Sequence, residues 1–249
     1  MKTYVVNLDG SDDRLLSISS QLEDLSMPFE RVSAVDGRKF DLDTLADYDS
    51  RKARRYMGRL LVGGEIGCYY SHLKVARMFL ETGEPHALVL EDDAKPNCDI
   101  NRLLADALKD LDKLDPDWLL LNIGNDKLRI YTPLQDYAVD GAQRSLVAAH
   151  YFPMTTSAIV WSRKGAQAFV DNHTKIFAPV DNFLRHWLTR AGHGYSMWPS
   201  PVGTIEVTSE ITANSGKHRR GYGRAWFYGA AKLQRMTVDK LIAARRKRR

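Results

Sequence analysis

Glu91-Asp92-Asp93 set three carboxylates side by side, directly after the apolar run Ala87-Leu88-Val89-Leu90. Like charges at that spacing repel, and water or a cation relieves the repulsion. Carboxylate oxygens suit hard ions such as Mg²⁺ or Mn²⁺, which also bridge to substrate phosphates. The same three acids would make an ordinary solvated turn, so the triplet does not choose between the two by itself. Asp181 is a second candidate. It follows Pro179 and precedes a stretch carrying Phe183, Leu184, Trp187 and Leu188. A carboxylate at such a helix start serves as a capping acid or as a general base toward a hydroxyl. The helix start itself would lower its pKa.

The elements that must position these groups can be read from apolar spacing. A short apolar run bounded by turn residues has the character of a buried strand, so Ala87–Leu90 is predicted as a strand with its acids at the carboxyl rim. In open α/β sheets that rim is where ligands bind. Thr3 to Leu8 is predicted as the first strand. A helix follows from a cap at Ser11 or Asp12, with Leu15, Ile18 and Leu22 on its buried face, and Phe29 to Val35 is the second strand. A β-α-β opening implies parallel pairing. Residues 38 to 62 are charged and expected to be irregular or briefly helical. A helix from about Glu65 to Leu80 carries Ile66, Tyr69, Leu73 and Ala76 on one stripe. Residues 125 to 150 are polar and turn-rich, and are expected to be an excursion at the rim of the site.

The chain has 249 residues, enough for one sizeable core with an appendage. It contains no apolar run of about 18 residues and no signal-like start. Two cysteines give neither a disulfide framework nor zinc spacing, so a reducing cytoplasm is expected, with Cys68 a small packed hydrophobe. The net charge of +5 hides an asymmetry: from Lys217 to Arg249 there are 12 Lys and Arg against the single acid Asp239. The division expected is a catalytic domain over 1–216 and a basic segment over 217–249.

Several blocks together resemble glycosyltransferase family 25, which includes bacterial lipooligosaccharide galactosyltransferases. They are Val5-Val6-Asn7-Leu8-Asp9 with Asp13-Arg14, then Ala34-Val35-Asp36-Gly37, then Gly64-Glu65-Ile66-Gly67-Cys68-Tyr69-Tyr70-Ser71-His72-Leu73. Leu88 to Asp93 resembles the family's version of the metal-binding DxD motif. Ser157 to Val160 with Gly165-Ala166, and Pro179 to Leu184, resemble the downstream blocks. The resemblance spans roughly residues 3 to 190. It implies a GT-A-like (Rossmann-like) α/β fold with a mixed sheet flanked by helices. It also implies a UDP-sugar donor, Mn²⁺ or Mg²⁺, and inversion at the anomeric carbon.

Under that resemblance Asp93 is assigned to the metal, while Glu91 or Asp92 holds the ribose or a metal-bound water. The metal set expected is Glu91, Asp93 and His218, although Lys217 or Arg219 beside His218 would equally face a phosphate. Asp181 is the expected base. Backbone groups at Asn7 and Leu8 would meet the uracil, Arg14 the uracil or phosphate, and Asp36 the ribose hydroxyls. His72, next to Ser71, would donate to a phosphate or sugar hydroxyl, and Glu65 would cap its helix. The alternative for Arg14 is a helix-surface arginine, for Asp36 a turn acid, and for His72 a structural histidine. The expected reaction moves galactose from UDP-galactose to a lipid-linked or oligosaccharide acceptor. UDP-glucose and UDP-N-acetylglucosamine are the other donors weighed, and a non-catalytic glycan or nucleotide binder is the competing class. The tail from Arg235 carries Met236, Val238, Leu241 and Ile242 among its bases, after Trp226, Phe227 and Tyr228. Such an amphipathic segment suits the anionic inner membrane surface, and no nucleic acid is expected.

Overall fold

The computed structural model describes residues 1–205 and 224–248. Strand β1 (Lys2–Asn7), helix α1 (Asp12–Asp24) and strand β2 (Glu30–Ser33) form the expected opening unit, with β1 and β2 parallel. A 3-10 turn (Gly37–Lys39) leads to α2 (Ser50–Met57), α3 (Gly63–Leu80), β3 (His86–Glu91), β4 (Ala94–Pro96), α4 (Ile100–Leu114) and β5 (Leu120–Asn122). The chain continues through β6 (Arg129–Val139), β7 (Ala142–Tyr151), β8 (Ala158–Ser162), α5 (Arg163–Asn172), α6 (Val180–Ala191), β9 (Gly194–Trp198), β10 (Val202–Thr204) and α7 (Tyr228–Lys247).

Eight strands make one mixed sheet in the order β2-β1-β3-β8-β5-β9-β7-β6. β2, β1 and β3 run parallel, so their carboxyl ends share one edge. β8 lies antiparallel between β3 and β5, and its amino end therefore reaches that same edge. Alternation along each strand divides the core into two. Tyr4 and Val6 of β1, with Ala87 and Val89 of β3, face α3, α5 and α6. Val5, Leu88 and Leu90 face α1 and α4. Period-two alternation of this kind buries both faces of a sheet under helices. Each buried Leu of α4, such as Leu104 and Leu108, contributes about 1.5–3 kcal/mol by leaving water. The helix-flanked mixed α/β sheet expected from the sequence is thus the arrangement found.

One stretch departs from expectation. Residues 125 to 150 are not mainly a rim excursion; most of them form the long β6–β7 hairpin at the sheet edge. β6 is an edge strand and stays largely exposed, so it carries little apolar alternation. Its signal is the turn instead: Asp140 and Gly141 both have positive φ, 51° and 74°, as a two-residue hairpin turn demands. Among the described residues no helix is long and apolar enough to cross a membrane.

Candidate active site

A pocket opens at the carboxyl edge of β1, β2 and β3. It is lined by Leu8, Arg14, Asp36, Ser71, His72 and the acids Glu91, Asp92 and Asp93, among others. The first turns of α3 form its wall because small residues allow a very close approach. A Cβ on Gly37 would lie 1.8 Å from the Gly63 carbonyl oxygen, and one on Gly67 would lie 2.4 Å from the Val35 oxygen. No real Cβ tolerates either distance, so glycine is required at this contact. Ser71, one turn beyond Gly67, accepts from the Val35 N–H at 2.9 Å and donates to the Gly67 carbonyl at 2.8 Å. Gly67 and Ser71 thus seat α3 on the loop after β2, and Ser71 spends its hydroxyl on that seat.

The three strand-end acids have three different surroundings. Glu91 accepts from Thr156 Oγ1 at 2.7 Å and lies 3.2 Å from His72 Nε2. Burial pushes its pKa up, but the bonds and charge of His72, with Thr156, outweigh burial and leave it below the usual range. Asp92 is buried and pinned: Asn7 Nδ2 donates to it at 2.8 Å and Arg14 Nη2 at 2.6 Å. Asp92 therefore clamps β1 and α1 to the acid turn while also lining the pocket. Asn7 is likewise spent inward, accepting from Arg31 Nε at 3.0 Å, and does not line the pocket. Arg14 lines the pocket but is held by Asp92 and, at 3.4 Å, by Asp93.

Asp93 is the exception. Its Oδ1 is buried and accepts no hydrogen bond. Burial first, and then the charge of Glu91, push its pKa up to about 6. A half-buried anion with one orphaned, buried oxygen beside a second carboxylate is the environment that a bound cation relieves. The residues present therefore fit a hard divalent ion, held by Asp93 with Glu91 adjacent. His218, the expected third ligand, lies outside the described residues. As a pocket residue Cys68 was missed by the sequence reading. It packs against the core as expected and also lines the pocket, and its ligand atom lies within 4.8 Å of those of His72 and Glu91. Burial pushes the Cys68 thiol well up, and the charges of Glu91, Asp181, Glu65 and Asp93 push the same way. These four acids thus all lie within electrostatic reach of one thiol.

Asp181 stands in the first turn of α6, outside the pocket lining. Its Oδ1 accepts from the Asn182 backbone at 2.6 Å and from Asn182 Nδ2 at 3.0 Å. A helix start by itself would lower the pKa of such an acid. Burial instead prevails and raises it, with the Asn182 bonds offsetting only part. Glu65 caps α3 as expected, receiving the Val62 N–H at 3.1 Å, and is gripped through both oxygens by Arg59 at 2.8 and 2.6 Å. Asp36 lines the pocket and caps the 3-10 turn. The Arg38 guanidinium bonded to it holds its carboxyl down to about 2. Arg38, Arg59 and Thr156 carried no signal in the sequence because each acquires its partner only through the local turn or the sheet.

The parallel β-α-β edge thus bears an acid triplet in a pocket, and a half-buried carboxylate, Asp181, stands at the start of α6. The chain belongs to glycosyltransferase family 25, whose model, described as an LPS biosynthesis protein family, matches residues 1–184. It is 30% identical over 187 residues to procollagen galactosyltransferase 2 of Mus musculus, covering 73% of this chain and 29% of that one. It is 26% identical over 192 residues to the inactive glycosyltransferase 25 family member 3 of Homo sapiens, covering 74% of this chain and 31% of the other. The chain thus spans just under a third of the length of these relatives. Among solved structures it overlaps a glycosyltransferase involved in glycosylation of the PBCV-1 major capsid, at 12% identity and a TM-score of 0.31, covering 68% of this chain and 62% of that one. That overlay is loose.

Proposed function

We propose that this glycosyltransferase is metal-dependent and inverting, and that it moves galactose from UDP-galactose onto a lipooligosaccharide, lipopolysaccharide or related surface glycan. The observation that carries the reading is the orphaned, raised Asp93 carboxylate at the strand edge. The galactose donor is supported by the names of the relatives, and the glycan class by the family description. Asp93, with Glu91 adjacent, would hold Mn²⁺ or Mg²⁺. When bound, the ion supplies neutralising charge for the departing diphosphate.

The chain's own residues then divide the remaining work. His72 and Thr156 fix Glu91 in its ionised form, and Asn7 and Arg14 fix Asp92, so the acid turn is rigid before ligand arrives. Leu8, Arg14 and Asp36 line the cleft offered to the nucleotide. Asp181 takes the proton of the acceptor hydroxyl. The freed oxygen forms its bond to the anomeric carbon as the bond from that carbon to the diphosphate oxygen breaks, and UDP leaves with the electron pair. A raised carboxylate is a stronger base than an ordinary one, which suits this step. The acceptor is read as lipid-linked or as an oligosaccharide at the inner face of the cytoplasmic membrane.

A second reading, a non-catalytic glycan or nucleotide binder, takes support from a relative named inactive. Intact Glu91, Asp93 and Asp181 oppose it. The test is UDP release from a panel of UDP-galactose, UDP-glucose and UDP-N-acetylglucosamine, with Mn²⁺ and with chelator. The proposal expects UDP-galactose to be consumed and only with metal. Consumption of another sugar corrects the donor, and no metal-dependent turnover of any donor, with or without added oligosaccharide acceptors, overturns the enzyme.

A further inference from the structure

The basic C-terminal helix is only half of a larger surface. α7 is docked on the body through its one acid and two of its own bases. Arg190 pairs with the buried Asp239 at 2.7 Å, Arg235 donates to the Tyr56 carbonyl, and Arg246 donates to the Arg190 carbonyl. The Arg235 guanidinium also lies over the Tyr56 ring, 4.9 Å from its centroid. These contacts set α7 directly against α2, and the Ala225 N–H donates to the Gly58 carbonyl at the end of that helix.

What remains outward is mainly basic and apolar. On α2, Arg51, Arg54 and Arg55 are exposed and form no ion pair among the described residues. On α7, Leu233, Thr237, Leu241 and Arg245 fall on one row at a spacing of four. Leu233 is 69% exposed and Leu241 55%, and Trp226 just before the helix is 96% exposed. Single exposed apolar residues are ordinary. Two of them on one side of a docked helix, beside three exposed arginines that form no ion pair among the described residues, are not. Apolar side chains flanked by long basic ones match the headgroup zone of an anionic bilayer, where the chains enter and the bases stay with phosphate.

We propose that α2 and α7 together form a platform that seats the protein on an anionic lipid bilayer. Arg59 follows α2 at once and grips Glu65, whose charge acts on Asp181. α7 also pairs through Asp239 with Arg190 of α6, the helix whose first turn carries Asp181, so the platform shares a helix with the side on which a membrane-borne acceptor would arrive. That purpose rests on the acceptor reading above; binding of the surface to lipid does not.

The experiment is co-sedimentation of the full chain with phosphatidylcholine vesicles, with and without about one-third phosphatidylglycerol. The parent is expected to bind the anionic vesicles and to release them at high salt. Each basic residue near such a surface is worth roughly fivefold, so Arg51→Gln, Arg54→Gln and Arg55→Gln combined should weaken binding roughly 100-fold. Leu233→Asp with Leu241→Asp should weaken it as well, while circular dichroism and donor hydrolysis stay at parent level. Parent-level vesicle binding by the triple arginine variant overturns the shared platform. So does equal, leucine-independent binding to duplex DNA, which would mark a general polyanion surface. Failure of donor hydrolysis in the parent tells against the transferase instead and leaves the vesicle result standing.

Discussion

Asp93 and Asp181 are both carboxylates whose pKa is raised first by burial, yet the rest of their surroundings differ. Asp93 stands in the turn after β3 beside two more acids and keeps a buried oxygen without a donor. Asp181 begins a helix and has its Oδ1 held by two donors from Asn182. Burial alone therefore does not assign a role. An acid with an unmet oxygen in a negative cluster calls for a cation, whereas an acid oriented by amide donors and kept basic is suited to receive a proton.

The comparison breaks most visibly at Asp93. Asp93→Asn should cost on the order of a thousandfold or more in turnover, because charge neutralisation at the leaving group is worth several kcal/mol. Titrating Mn²⁺ into the assay should fail to restore the rate. Asp181→Asn should cost roughly 100- to 10,000-fold, the usual span for a general base, with the metal response intact. The pH profile sharpens the second role. The base works ionised, so the rate should rise with pH through the Asp181 pKa and level off above it. Because that pKa is raised, the acid limb should lie above the ordinary carboxylate range, and Asp181→Glu should move it.

Smaller effects test the supports. Gly67→Ala drives a methyl against the Val35 carbonyl and should cost about 1–3 kcal/mol of stability, read by thermal denaturation. Thr156→Val removes one donor from Glu91 and should raise the metal concentration for half-maximal rate by about fivefold. Unchanged metal response in Thr156→Val would detach Glu91 from the ion.

The two ends of the sheet also differ in how openly the sequence announces them. β1, β2 and β3 are buried on both faces, so their apolar runs stand out, and the acids that end β3 fall at the rim as expected. The β6–β7 hairpin is exposed and polar, and only its Asp140-Gly141 turn betrays it. Within the site, Glu91, Asp93 and Asp181 are conspicuous by type and position. Their partners are not: Thr156 lies 65 residues from Glu91 and reaches it only because β8 pairs with β3. Asp92 looks equivalent to its neighbours in sequence, and only the folded position of Arg14 and Asn7 turns it into a clamp. The bases of α7 likewise look alike until packing sends Arg235 and Arg246 inward and leaves Arg245 exposed.

The most direct test of the division between the two acids is calorimetric binding of UDP, with and without Mn²⁺, to the parent, Asp93→Asn and Asp181→Asn. The account predicts that Mn²⁺ tightens UDP binding to the parent and to Asp181→Asn, and has no effect on Asp93→Asn. Equal tightening in Asp93→Asn, or its loss in Asp181→Asn alone, would contradict the assignment of cation and proton to these two carboxylates.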